Sequence, residues 1–143
     1  MILAALLLAQ AAPVCAAPDH ELPAAFAHWA DAPTATLAAD GAPVRVAATE
    51  GAGDAAKRPG KGATLSFTIA KAGHYRLALD QKAWIDVQGD GAAAPLESVG
   101  HGHGPDCSSI AKFVTFDLSP GHYTIALSGV MRDRVKVMLI SGD

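Results

Sequence analysis

The sequence predicts an all-β fold, a small antiparallel β-sandwich or jelly-roll-like domain with one short N-terminal helix. Three observations carry that expectation: alternating apolar segments of strand length, glycine-marked turns between them, and an internal repeat that joins two such segments twice over. The repeat is Phe67-Thr-Ile-Ala-Lys-Ala-Gly73-His74-Tyr75-Arg-Leu77-Ala-Leu79, echoed by Phe116-Asp-Leu-Ser-Pro-Gly121-His122-Tyr123-Thr-Ile125-Ala-Leu127 with a shorter turn. Each copy reads as an alternating strand, a glycine turn and a second alternating strand opening on tyrosine, a pattern that predicts a hairpin with one buried face. A third strand follows each copy, at Trp84-Ile85-Asp86-Val87 and at Val135-Lys-Val137-Met-Leu139-Ile140. Two three-stranded units of this kind bury their apolar faces most simply against each other.

The remaining elements follow from the N-terminus. Ile2 to Ala12 is an apolar run of signal-peptide length, shorter than the roughly 20 residues that span a bilayer. Pro13 follows, and Cys15-Ala16-Ala17 places small side chains at the recognition positions for cleavage after Ala17. Residues 1–17 therefore read as a signal peptide, with a periplasmic or secreted destination and no transmembrane segment. Ala9-Gln10-Ala11 offers a second cleavage point that would leave Cys15 in the mature chain, and a buried N-terminal helix is the other reading of this segment. Cleavage after Ala17 would leave Cys107 as the sole cysteine. Residues 18–143, about 125 in all, suffice for one β-sandwich domain with one sizeable core. Leu22 to Trp29 is Ala-rich with apolar residues at helical spacing and predicts the short helix. Val44-Arg-Val46, with Thr36-Leu37, predicts an edge strand, and Thr49 to Ala63 reads as a loop rich in Gly, Ala and charge.

Composition excludes several function classes. The formal net charge is −3 and the 11 Lys and Arg residues are scattered, so neither nucleic acid nor an anionic membrane is an implied partner. Lys57-Arg58 with Lys61 is the one basic knot, and within the loop it reads as solvated surface. The sequence has no Gly-x-Ser-x-Gly elbow, phosphate loop, dinucleotide fingerprint or haem-attachment motif. His74 and His122 hold equivalent places in the repeat, which assigns them to its turns. Tyr75, Tyr123, Phe67, Phe116 and Trp84 are assigned to the core, leaving Trp29, Phe113 and Phe26 as the aromatics available to a ligand platform.

Chemistry concentrates in His101-Gly-His103-Gly-Pro-Asp106-Cys107, which lies in a long connection between predicted strands. Imidazoles at i and i+2 project to one side of an extended chain and can reach a single ion. Gly100, Gly102 and Gly104 would let the backbone bend around it, the Cys107 thiolate would close the site, and Asp106 is a harder alternative donor. Two imidazoles and a sulfur suit Cu or Zn. The rival reading is a solvated glycine loop with Cys107 tucked beneath it as a small hydrophobe. The function so predicted is an exported binding protein with a transition-metal site, and the alternative is an envelope interaction or small-ligand module.

A resemblance adds a third reading. The stretch from Trp84-Ile-Asp-Val87 through His101-Gly-His-Gly-Pro-Asp-Cys107-Ser-Ser-Ile-Ala-Lys112 to Ser119-Pro-Gly-His-Tyr123 resembles a group of short secreted proteobacterial proteins of unknown function, some of which are called homogentisate 1,2-dioxygenase. That name implies a cupin-like oxygenase with Fe held by two histidines and a carboxylate. His101-x-His103 resembles the start of the first cupin motif, H-x-H-x(3,4)-E, with Cys107 where the Glu ligand belongs and Asp106 as the nearest carboxylate. His122 is the candidate for the downstream histidine.

Overall fold

The computed structural model describes Cys15, residues 17–51 and residues 58–142. The signal-peptide reading thus lies largely outside the described residues. The strands are β1 (Val44–Ala47), β2 (Lys61–Ile69), β3 (Gly73–Leu79), β4 (Trp84–Gly89), β5 (Gly100–Gly102), β6 (Lys112–Leu118), β7 (Gly121–Val130) and β8 (Arg134–Ser141). They form a five-stranded sheet in the order β1-β8-β3-β6-β5 and a three-stranded sheet in the order β2-β7-β4, all neighbours antiparallel. The β-sandwich is the architecture predicted; the division into five and three strands is not.

The repeat accounts for the difference. Neither copy closes as a hairpin: β2 pairs with β7 and β3 with β6, so each copy's first strand pairs with the second strand of the other copy. The turn in each copy carries the chain across from one sheet to the opposite one. Alternation alone is satisfied either way, because it fixes which face of a strand is buried and not which strand lies beside it. The crossing makes the two copies equivalent about an approximate two-fold axis, with Phe67 opposite Tyr123 and Tyr75 opposite Phe116. Both tyrosine hydroxyls donate four residues back to close their own arch, Tyr75 to the Lys71 carbonyl at 2.5 Å and Tyr123 to the Ser119 carbonyl at 2.6 Å. The repeat histidines are equivalent as well. His122 Nδ1 meets Thr68 Oγ1 at 2.8 Å, and His74 pairs with Asp117, each across a strand pair beside its arch.

Between the sheets lies the main core, in which Leu77, Leu79, Val87, Ile125, Leu127 and Leu139 are almost completely removed from solvent. Burial of each such side chain stabilises the fold by about 1.5–3 kcal/mol. A second cluster lies on the other face of the five-stranded sheet, where Phe26 and Trp29 pack against Ala78, Ile110, Met138 and Ile140. Because β8 is covered on both faces, its sequence is a nearly continuous apolar run.

The predicted N-terminal helix is not formed. A single 3-10 turn occupies Ala24–Phe26, entered through Pro23, and the chain continues as turns closed by bonds from Trp29 N–H to the Phe26 carbonyl and from Asp31 N–H to the His28 carbonyl. The three-residue spacing of Phe26 and Trp29 is real, but a tight winding satisfies it as well as an α-helix does. Three aromatic assignments reverse, the first being Phe26, which is buried in the second cluster and not available to a ligand platform. Trp29 is fully buried, with Lys136 Nζ 4.6 Å from its ring centroid, whereas Trp84 is 46% exposed. Within Trp84-Ile85-Asp86-Val87 the buried members are Ile85 and Val87, so alternation places Trp84 with Asp86 on the other side.

Candidate functional site

β4 is one edge of the three-stranded sheet and β5 one edge of the five-stranded sheet, and residues 90–99 run between them. This connection is fastened at both ends, by Leu96 N–H donating to the Val87 carbonyl at 2.7 Å and Val99 N–H donating to the Thr115 carbonyl at 2.8 Å. A cleft of about 690 Å³ opens between the edges, within the range usual for small-molecule sites. β4 contributes Trp84, Ile85 and Asp86; the connection contributes Leu96, Glu97 and Ser98; β6 contributes Lys112, Phe113, Val114 and Phe116. His101, Gly102 and His103, with Lys82 and Ala111, complete the wall.

Both predicted histidines therefore line one cavity. His101 stands opposite Val114 in the β5–β6 ladder, and directly opposed residues of an antiparallel pair share a face. The glycines between them have a different task from the one predicted. A Cβ at position 102 would lie 2.5 Å from Phe113 Cζ, and one at position 104 would lie 2.1 Å from the Ile110 carbonyl oxygen. These glycines allow close packing against β6 and the segment before it, and no bend around an ion is needed to explain them.

The other two predicted ligands are placed elsewhere. Cys107 forms a disulfide with Cys15, with Cα atoms 5.3 Å apart, so in the chain that retains Cys15 it offers no thiolate. Asp106 is exposed on the turn before it, outside the cleft lining. Among the described residues no three His, Cys, Asp or Glu side chains are grouped to hold a metal, so neither the two-imidazole-plus-sulfur set nor the two-histidine-one-carboxylate set is assembled. His122, the downstream histidine of the resemblance, lies in β7 with Thr68 as its partner.

The Cys107 turn is instead a structural clamp. Asp19 N–H donates to the Cys107 carbonyl at 2.8 Å, and the Asp19 carboxylate accepts from the Ser109 amide at 2.6 Å and the Ser109 hydroxyl at 2.5 Å. Trp29 Nε1 donates to the same hydroxyl oxygen at 2.9 Å. Asp19 and Cys107 adopt left-handed backbone angles, φ 66° and φ 61°, which these contacts hold in place. Asp19, Trp29 and Ser109 carry no motif that would have singled them out.

Sequence reasoning also missed the electrostatics at the far end of the cleft. A second, narrower cleft of about 260 Å³ adjoins the first and shares Lys82, Trp84 and Lys112 with it; Arg58, Pro59, Ala83, Ser128 and Gly129 complete its described lining. The Arg58 guanidinium lies 3.8 Å from the centroid of the Trp84 ring, a cation–π contact, and Trp84 Nε1 donates to Asp86 Oδ1 at 3.0 Å. Lys112 Nζ donates to the Ala83 carbonyl at 2.9 Å. Burial, and then the charge of Arg58, holds the Lys112 ammonium below the usual lysine range.

Compared with models of protein families, with curated proteins and with solved structures, the chain matches none. Among the described residues no helix is long and apolar enough to cross a membrane.

Proposed function

We propose that this chain is an exported ligand-binding module whose site is the cleft between the β4 and β5 edges, and that its ligand is a small molecule with an apolar body. The observation that carries this reading is the exposure of Trp84 beside Phe113, Phe116 and Leu96 in one open cavity of small-molecule size. A large apolar ring left in contact with water at a concave surface is what a binding site requires and a folding core does not. Export is supported by the apolar run at residues 2–12 and by a disulfide, which forms and persists in oxidising compartments. Because the bridge needs Cys15, we place cleavage after Ala11.

Calorimetric titration with a neutral probe, 2-naphthylmethanol, tests the cleft. Saturable binding tighter than about 1 mM is expected, with a loss of at least about tenfold in Trp84→Ala. A parent protein that takes up no probe, or a variant that binds it equally well, contradicts the reading.

A Cu or Zn ion is the second reading, favoured by His101 and His103 lining the same wall. With the sulfur bonded elsewhere, two imidazoles make a weak site, and the expected dissociation constant is above about 10 μM. Tighter uptake that is lost in the His101→Ala, His103→Ala double variant would restore the metal function.

A further inference from the structure

The narrow cleft presents three cationic side chains, Arg58, Lys82 and Lys112, and no Asp or Glu belongs to its described lining. None of the three has a carboxylate partner among the described residues: Arg58 stacks on Trp84, Lys112 donates to a backbone carbonyl, and Lys82 is exposed. Like charges gathered in one depression repel one another unless an anion joins them, and the local cost is visible in the Lys112 ammonium, destabilised by burial and by Arg58. The acidic residues of the wider cleft, Asp86 and Glu97, are absent from this end, and Asp86 is engaged by the Trp84 indole. Trp84, Lys82 and Lys112 line both clefts, so one molecule seated on Trp84 would reach the apolar wall on one side and the cations on the other.

We propose that the narrow cleft is the anion subsite of the wide one, and that the ligand is an amphipathic anion with its apolar body against Phe113 and Leu96 and its anionic head among Arg58, Lys82 and Lys112. This inference rests on the wide cleft being the ligand site. Arg58 supplies a planar donor fork for an oxyanion while its face remains on the Trp84 ring, and the two ammonium groups supply point charges. An anionic head would also relieve the repulsion between Arg58 and Lys112, a favourable contribution that a neutral ligand of the same shape lacks.

The test compares 2-naphthoate with 2-naphthylmethanol by calorimetric titration of the full chain. Naphthoate should bind at least about tenfold tighter than the neutral alcohol, as charge-assisted hydrogen bonds require. Lys82→Met and Arg58→Met alter exposed side chains, so both variants should fold; each should lower naphthoate affinity severalfold or more relative to any change for the alcohol, so that the preference for the anion falls. Equal affinity for the two probes, or a naphthoate preference that survives both substitutions, overturns the anion subsite while leaving the wide cleft standing as a site. Failure of both probes to bind overturns the cleft reading and the subsite with it.

Discussion

The two tryptophans separate core from site at the level of single residues. Trp29 is fully buried with its indole N–H satisfied by Ser109, whereas Trp84 is half open at the mouth of the cleft. Trp29→Ala should cost about 3–5 kcal/mol, the range for truncating a buried aromatic, while Trp84→Ala should shift the melt little and affect binding instead. Paired thermal melts check this, and equal losses from both would place Trp84 in the core after all. Lys112 gives a pH signature. Its ammonium is depressed in the folded protein, so above the folded pKa the unfolded chain binds more protons than the native one, and stability rises with pH toward the ordinary lysine value of about 10.4. Below the folded pKa the penalty is fully present. Denaturation midpoints of the parent relative to Lys112→Met should therefore improve between neutral pH and about pH 10; a constant difference would mean that Lys112 is not desolvated.

At the scale of elements, β5 and the residue that follows it supply one wall of the cleft, through His101, Gly102 and His103. Gly104→Ala forces a Cβ against the Ile110 carbonyl and should cost about 1–3 kcal/mol, more than the same exchange at Gly91, where nothing lies within 4 Å of the added carbon. Gly91 has φ 76°, so its own substitution carries only the left-handed backbone penalty. Chemical denaturation of the two variants ranks them, and the reverse order would show that Gly104 is not packed against Ile110 as described. The alternating strands were legible from sequence because burial of one face imprints a period of two. Their partners were not, because the repeat reads the same whether each copy folds back as a hairpin or arches across to the opposite sheet. Likewise His101 and His103 do line one cleft, while among the described residues no third ligand joins them. Nothing local to His101-Gly-His103-Gly-Pro-Asp106-Cys107 shows that its cysteine is bonded to Cys15, 92 positions away. The aromatic roles inverted for a related reason: alternation in the sequence assigns Trp84 to the core, but the buried phase of β4 falls on Ile85 and Val87 and leaves Trp84 beside Asp86, and Trp29 is covered by a sheet face that local sequence does not reveal.

At the scale of the whole molecule, one disulfide closes most of the chain into a loop. A cross-link spanning about 90 residues restricts the unfolded ensemble, and on the chain-entropy account it stabilises the fold by about 4–5 kcal/mol. Intact mass should therefore be two hydrogens lighter than the reduced chain and should retain Cys15, and the Cys15→Ala, Cys107→Ala double variant should lose about 2–5 kcal/mol in denaturant titration. A mature chain beginning at Pro18 would contradict the bridge. Neither sheet supplies the cleft alone: the three-stranded sheet contributes Trp84, the five-stranded sheet contributes His101 and Phe113, and the connection over residues 90–99 joins them. The most direct measurement of the central claim is a map of amide chemical-shift changes during titration of the isotope-labelled protein with 2-naphthoate. Saturable shifts gathered on Trp84, Leu96, His101, Lys112 and Phe113 are expected, with the repeat arches at His74 and His122 unmoved. Shifts gathered elsewhere on the surface, or none up to the solubility of the probe, would contradict it.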